Sequence, residues 1–271
     1  MPEPLISVNQ LKKNLKSGGT AVGTMLIEVR QPSIMQILAN AGFEFVLIDT
    51  EHGPFSIETV ADLCRTVRLV DITPIVRVPE ITYAHITQAL DAGAQGIMIP
   101  RVTEATQVHT ALEMMKYPPM GKRGSVLMRG HTEFKAGGLA ESLAAMNAET
   151  MLIVQIETRQ AAENLDSLLS IAGVDAALIG PTDLTVAFGK HGNVSDPDIQ
   201  NIIDRTITAC TKHGAIPAIH FNDLPSAQTW ATNGMKMISY SSEIGMLNKE
   251  GRAAVHALRE SFASRQTRRG A

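Results

Sequence analysis

The chain reads as an α/β protein built on a closed (β/α)8 barrel, and three features of the sequence say so. Five glycines, Gly42, Gly93, Gly173, Gly214 and Gly234, each close an amphipathic stretch and open an apolar run. Eight such apolar runs can be counted, and most are continuously apolar rather than alternating, as strands covered on both faces must be. No G-x-G-x-x-G or G-x-x-x-x-G-K-[ST] follows any of them, which sets aside an open doubly wound sheet that binds a dinucleotide or a nucleoside triphosphate. Glycine directly after a helix takes up the left-handed conformation without a Cβ penalty, so the chain turns at once into the next strand. Repeated helix–glycine–strand joints mean alternating α and β units and a mainly parallel sheet.

Taken in order, residues 1–18 are predicted as an N-terminal helix. The strands fall at about 20–25, 45–49, 73–77, 96–99, 151–156, 176–179, 215–219 and 237–240. Between them, residues 57–70 carry Ile57, Val60, Leu63, Val67 and Val70 at helical spacing behind Ser56 as N-cap, and residues 197–212 repeat the pattern with Ile199, Ile202, Ile203 and Ile207. Residues 117–147 interrupt the rhythm with a long polar insertion, the kind of segment that serves as a lid or a subunit contact. A terminal helix is predicted over 243–265. Nothing resembles a linker, so residues 1–271 are expected to form one domain.

Composition narrows the function. The chain has 271 residues, 44% apolar and 19% charged, with a net charge of −3. Without a basic tract, nucleic acid and anionic membranes are not expected partners, and Arg265, Arg268 and Arg269 make too short a tail to alter that. The two cysteines, Cys64 and Cys210, lack metal-site or redox spacing and read as buried thiols. The first residues lack the apolar core of a signal peptide and no apolar run is long enough for a membrane span, so a cytoplasmic protein is expected.

The chemistry gathers where apolar strands stop: IDTEH (48–52), VRVPE (76–80), QIET (155–158) and IGPTD (179–183). In a parallel barrel these ends share one rim. Gln155 and Glu157 are two apart on one strand and share a face. An unpaired carboxylate at Glu157, after an apolar stretch, would be costly, so it calls for a cation. Asp183 follows from the next strand through Gly180, Pro181 and Thr182. Two carboxylates from adjacent strand ends make an oxygen-rich site suited to Mg2+, Mn2+ or a similar ion with water completing the shell. A salt bridge from Glu157 to a rim arginine, and a helix cap at Asp183, are the structural alternatives. The amides that open the helix after Gly180 could also dock a substrate carboxylate.

Asp49 ends a buried strand and His52 follows three residues later, within reach for a carboxylate to orient an imidazole base. A loop histidine held by local hydrogen bonds satisfies the same spacing, and Glu51 is an alternative carboxylate partner. Arg77 closes another apolar run, where its guanidinium needs an anion: a substrate carboxylate or enolate, or one of Asp49, Glu51 and Glu80. No lysine falls in the carboxyl half of a predicted strand, which disfavours imine chemistry, and there is no G-x-S-x-G elbow or Cys–His nucleophile pair.

With these motifs together, FEFVLIDTEHGP, VRVPE, DAGAQGIMIPRV, YPPMGKRG, IVQIET and GVDAALIGPTDLTVAFG, the chain resembles the HpcH/HpaI aldolases, metal-dependent class II pyruvate aldolases that cleave 4-hydroxy-2-oxo acids. The resemblance implies a TIM barrel whose last helix is exchanged between subunits of a homo-oligomer, usually a hexamer. It implies a divalent cofactor (Mg2+, Mn2+ or Co2+) held by Glu157 and Asp183. It makes His52, oriented by Asp49, the base, and Arg77 the group that holds the keto oxygen and steadies the enolate. Gln155 becomes a neighbour of the bound substrate, joined by Gly180, Pro181 and Thr182. The small-molecule partners implied are a 2-oxo acid, pyruvate or oxaloacetate, and an aldehyde.

Three departures from the family pattern bear on substrate. His220 stands in Ala218–Ile219–His220–Phe221, at a position similar to one that lines the aldehyde-binding mouth in the family, and is expected to change acceptor preference; a histidine merely packed in the rim is the alternative. Arg101 after Pro100 is also less usual, and Ser242–Glu243–Ile244–Gly245–Met246–Leu247 stands where the family usually has Ser-Asp-Val-Gly-Leu-Leu. An oxaloacetate decarboxylase acting like macrophomate synthase uses the same machinery, and a CoA-thioester lyase on a related barrel is a third reading. A non-catalytic binding protein would not need Asp49, His52 and Arg77 together, and all three are present.

Overall fold

Eight parallel strands close on themselves in sequence order: β1 (Ala21–Leu26), β2 (Phe45–Asp49), β3 (Thr73–Arg77), β4 (Gly96–Ile99), β5 (Met151–Ile156), β6 (Val174–Ile179), β7 (Ile216–Phe221) and β8 (Met237–Ser242). The last pairing, β1 with β8, is parallel like the others and completes the barrel. The computed structural model describes residues 6–135 and 137–269. Residues 1–5 of the predicted N-terminal helix, and the side chains of Arg265, Arg268 and Arg269, lie outside the described residues. All five glycines predicted as helix–strand joints have left-handed backbones, with φ from 72° at Gly214 to 117° at Gly93.

Alternation along the strands sorts side chains into two cores. Phe45, Leu47, Ile75, Met98, Ile153, Leu178 and Ala218 pack inside the barrel. Val46, Ile48, Val76, Ile97, Val154, Ile179 and Ile219 face the surrounding helices. Each such burial stabilises the fold by about 1.5–3 kcal/mol. Gly23 makes room inside: a Cβ there would lie 2.5 Å from the Phe45 ring.

The helix Gln10–Lys16 plugs the amino-terminal end of the barrel with Leu11 and Leu15. It is shorter than the predicted 1–18, because it begins at an Asn9 cap that accepts from the Lys12 N–H. The helices Ile57–Thr66 and Pro197–His213 start at the caps Ser56 and Asp196. A 3-10 turn, Val67–Leu69, continues the first of them. The segment before the helix Leu139–Glu149 is irregular, yet it is tied down. Buried Arg123 pairs with Asp91 and stacks 4.6 Å from the Tyr117 ring centroid.

The terminal helix, Glu243–Arg269, departs from the pattern. Glu243 roots it: one buried carboxylate accepts from the backbone N–H groups of Ile27, Glu28 and Val29 at 2.7–3.1 Å. From Leu247 to Ser264 every side chain is exposed, including Val255, Leu258 and Phe262 on one stripe. Val22, on the outer face of β1, is exposed as well. Among the described residues no helix is long and apolar enough to cross a membrane.

Candidate active site

The carboxyl ends of β2, β3 and β5 deliver buried charge to one rim. Asp49 and Arg77 are register partners on adjacent strands, and the arginine grips the carboxylate with both edges of its fork. Its Nε donates to Oδ1 at 2.8 Å and its Nη2 to Oδ2 at 2.5 Å. The remaining terminal nitrogen, Nη1, lies 3.1 Å from Glu51 Oε2. That contact is an ion pair without hydrogen-bond alignment, since this oxygen has no hydrogen-bond partner. Burial works against the Arg77 charge, but the Asp49 hydrogen bond and then the charges of Asp49, Glu51 and Glu157 keep its pKa above the ordinary value.

Asp49 does not orient the His52 ring, contrary to the expectation from sequence. Its Oδ1 accepts from the backbone N–H groups of Glu51, at 3.0 Å, and His52, at 3.3 Å, so it shapes the loop instead. The carboxylate is already committed to Arg77. The carboxylate beside the imidazole is Glu51, 3.8 Å from Nε2, and the ring is 63% exposed.

Gln155 and Glu157 do share a face, and the Gln155 amide donates to Glu157 Oε2. Glu157 Oε1 accepts the backbone N–H of Arg101 at 2.7 Å. Burial raises the Glu157 pKa, and the charges of Asp183 and Glu51 raise it further against the opposing Arg101 hydrogen bond and the Arg77 charge. Gly180 lies against this pair: a Cβ there would approach Gln155 Nε2 to 3.1 Å and Glu157 Oε2 to 3.3 Å. Pro181 opens the helix Pro181–Ala187, with Thr182 and Asp183 exposed in its first turn. Asp183 sits inside that turn rather than capping it, and Gly180 holds the cap position.

On the opposite side of the rim, His220 is half-buried at the end of β7, with Nδ1 2.9 Å from Ser239 Oγ and Nε2 3.3 Å from Asn222 Oδ1. Its pKa is pushed down to about 4, by burial first, with the Asn222 contact opposing and the Arg77 charge adding. The imidazole is therefore neutral near pH 7.

The sequence did not reveal how Arg101 and Glu51 bind this rim together. Arg101 has a left-handed backbone (φ 53°), rare outside glycine, and it presents its N–H to Glu157 and its Nε to Glu51 Oε1 at 2.9 Å. The one signal in the sequence was position: IMIPR ends an apolar run in a charge, as IVRVPE does.

The rim thus carries four carboxylates, Asp49, Glu51, Glu157 and Asp183, and two guanidiniums, Arg77 and Arg101. That deficit of positive charge, with the Gln155 Oε1 buried and unpartnered, suits a divalent cation. Among the described residues no three His, Cys, Asp or Glu side chains gather to close a metal shell by themselves. Glu157 and Asp183 would supply two protein oxygens, and water and substrate the rest.

Residues 24–248 match the family model described as HpcH/HpaI aldolase/citrate lyase. The chain belongs to this family. A hydroxypyruvate/pyruvate aldolase from Roseobacter denitrificans is 34% identical over 256 residues, covering 93% of this chain and 97% of the relative. A 4-hydroxy-2-oxo-heptane-1,7-dioate aldolase from Escherichia coli is 31% identical over 261 residues, covering 96% and 97%. The crystal structure of an HpcH/HpaI aldolase from Desulfitobacterium hafniense superposes with a TM-score of 0.89 at 31% identity, over 92% of this chain and 96% of that one. Membership in the HpcH/HpaI family and these aldolase relatives make the protein a carbon–carbon lyase on a (β/α)8 barrel.

Proposed function

We propose that the protein cleaves and forms 4-hydroxy-2-oxo acids through the enolate of pyruvate, with a divalent cation (Mg2+, Mn2+ or Co2+) held by Glu157 and Asp183. The observation that carries this reading is the excess of buried carboxylate beside an arginine locked in place. Such a cation supplies Lewis acidity toward a 2-oxo acid. Arg77, fixed by Asp49, offers its remaining N–H groups to the oxygen on which enolate charge develops, a preorganised donor in a water-poor site. Asp49 is in this account a positioning residue.

His52 takes the methyl proton in the forward direction and the 4-hydroxyl proton in cleavage, and Glu51 is the carboxylate beside it. The Gln155 amide fixes Glu157 and flanks the substrate. Gly180 leaves the space that a Cβ would fill, and the first-turn amides of Pro181–Ala187, at Thr182 and Asp183, offer donors to the substrate carboxylate. His220 presents a neutral ring to the acceptor aldehyde and tunes which aldehyde is used.

The bare stripe on the terminal helix and the uncovered Val22 support a homo-oligomer in which this helix packs on a second copy; a hexamer is the size the resemblance implies. Cys64 and Cys210 are buried thiols in no disulfide, which supports a cytoplasmic location.

The test is exchange of the pyruvate methyl protons in D2O, followed by NMR on metal-stripped protein and again with Mg2+ or Mn2+ added. Cation-dependent exchange, abolished in Arg77→Ala and weakened in His52→Ala, is the expected result. Absence of exchange under every cation, with oxaloacetate also inert, overturns the reading.

A further inference from the structure

We infer that Arg101 selects the acceptor: its guanidinium, propped on Glu51 at the mouth of the barrel, receives a carboxylate at the far end of the aldehyde. The inference rests on the aldolase reading above and adds to it the residue that receives the far end of the second substrate.

The two rim arginines are spent differently. In Arg77 every nitrogen engages an acid: Nε and Nη2 meet Asp49, and Nη1 meets Glu51. That guanidinium is buried, its side chain 8% exposed. Arg101 gives only Nε to Glu51 Oε1, and among the described residues neither of its terminal nitrogens has an acceptor. Its side chain is 70% exposed, whereas that of Glu51 is 8% exposed, so a buried carboxylate holds an open fork toward the mouth. Two parallel N–H donors on a planar group match a carboxylate in a bidentate pair, which a lysine ammonium could not reproduce.

The backbone points the same way. A left-handed, non-glycine residue persists only when its surroundings hold it there, and here the N–H of Arg101 is bound to Glu157. The residue is thereby anchored through its own N–H to Glu157, the proposed cation ligand. Beside it a groove of about 460 Å3 opens between the loops after β3 and β4, lined by Pro79, Ile81, Pro100 and Arg101. Glu80 and Glu104 also border that groove, both exposed, and Glu104 is engaged by the Thr106 hydroxyl. They repel an anion that runs past Arg101, so the fork takes the end of a short tail.

An anionic tail would need such a receiver. Arg77 is buried against its own acids and its remaining N–H groups serve the enolate oxygen, so a carboxylate at the far end of the aldehyde needs its donors elsewhere. Arg101 is the exposed guanidinium at this rim, and among the described residues its two terminal nitrogens have no acceptor.

The experiment compares two acceptors of equal length, a four-carbon ω-oxo acid and the neutral four-carbon aldehyde, in condensation with pyruvate by the cation-loaded enzyme. The readout is the ratio of their kcat/KM values in wild type, Arg101→Gln and Arg101→Lys. The wild type should prefer the oxo acid. Loss of one charge-assisted bidentate pair should lower the ratio about tenfold in Arg101→Gln, through KM for the oxo acid, with Arg101→Lys in between. A wild-type ratio near one, or a ratio that survives Arg101→Gln, overturns the assignment. A variant that lowers both acceptors equally also overturns it, since Arg101 would then merely support Glu157. Pyruvate proton exchange needs no aldehyde and is measured alongside: exchange without discrimination defeats this inference alone, and no exchange defeats the aldolase reading beneath it.

Discussion

The two ends of the barrel handle buried charge in opposite ways. At the amino-terminal floor, Lys12 meets Asp175 at 3.1 Å and the Thr150 carbonyl at 2.9 Å. Lys116 gives its three N–H bonds to Asn147 O, Thr150 O and Thr150 Oγ1. Asp175 also accepts the Leu152 N–H, and the Asn147 amide pairs with both backbone groups of Tyr117. At the mouth, Glu51 Oε2 and Gln155 Oε1 are left buried without hydrogen-bond partners, and acids outnumber the arginines. Unsatisfied buried polar atoms cost about 1–3 kcal/mol each, and among the described residues the floor side leaves only Arg123 Nε so placed, so the mouth carries the larger expense. The difference shows that the floor stores stability and the mouth stores binding capacity, as expected where catalytic groups sit at the carboxyl ends of barrel strands.

That contrast can be broken. Glu157→Gln keeps the shape but removes a charge that burial disfavours, and it lets the Gln155 amide turn its unpartnered oxygen to a donor. Cation-dependent proton exchange should fall about a thousandfold while Tm of the metal-free protein holds or rises, readable by NMR and calorimetry. A lower Tm would mean that the mouth is stabilising after all. At the floor the expectation reverses. Asp175→Ala leaves Lys12 buried without its counter-charge and should cost about 3 kcal/mol in urea unfolding, with turnover per folded molecule retained.

A pH profile sharpens the floor further. Burial, with the Lys12 charge adding to it, brings Lys116 down from 10.5 to about 7. Its folded pKa lies below its unfolded one, so in that interval the unfolded chain carries a proton the folded chain lacks. Stability from this group therefore rises with pH across the interval and is flat below it. Lys116→Met should remove that slope: the rise in urea midpoint from about pH 7 to about pH 10 in the wild type should shrink in the variant. The smallest effect is at His220. His220→Leu should change kcat/KM between polar and apolar aldehydes by a few-fold, about 1 kcal/mol, and leave pyruvate exchange intact. An unchanged aldehyde profile would reduce His220 to rim packing. Because its pKa is near 4, it should add no titration to the rate profile around neutral pH.

Much of the barrel was legible because its signals are local. β2, β3, β4 and β5 run at Phe45–Asp49, Thr73–Arg77, Gly96–Ile99 and Met151–Ile156, where apolar runs bounded by glycine and polar clusters placed them. Convergence of Asp49, Arg77, Gln155, Glu157 and Asp183 followed from barrel closure alone. What could not be read was pairing at the rim. Spacing of three residues suggested that Asp49 addresses the His52 ring, but a parallel register sets Asp49 opposite Arg77, and a guanidinium fork outcompetes an imidazole for both oxygens. Glu51 read equally well as a solvated loop charge, yet it is buried between two arginines. The left-handed turn at Arg101 has no local code, since arginine does not favour it; tertiary contacts impose it.

The root of the terminal helix has a consequence for how this barrel can change over time. Glu243 clamps three successive amides after β1, so the closing seam between first and last strands is bolted before the helix leaves the surface. Everything beyond Leu247 is then free to be lengthened, re-aimed or exchanged for another partner without reopening the seam. The architecture separates a module that must stay shut from an arm that can be rewritten.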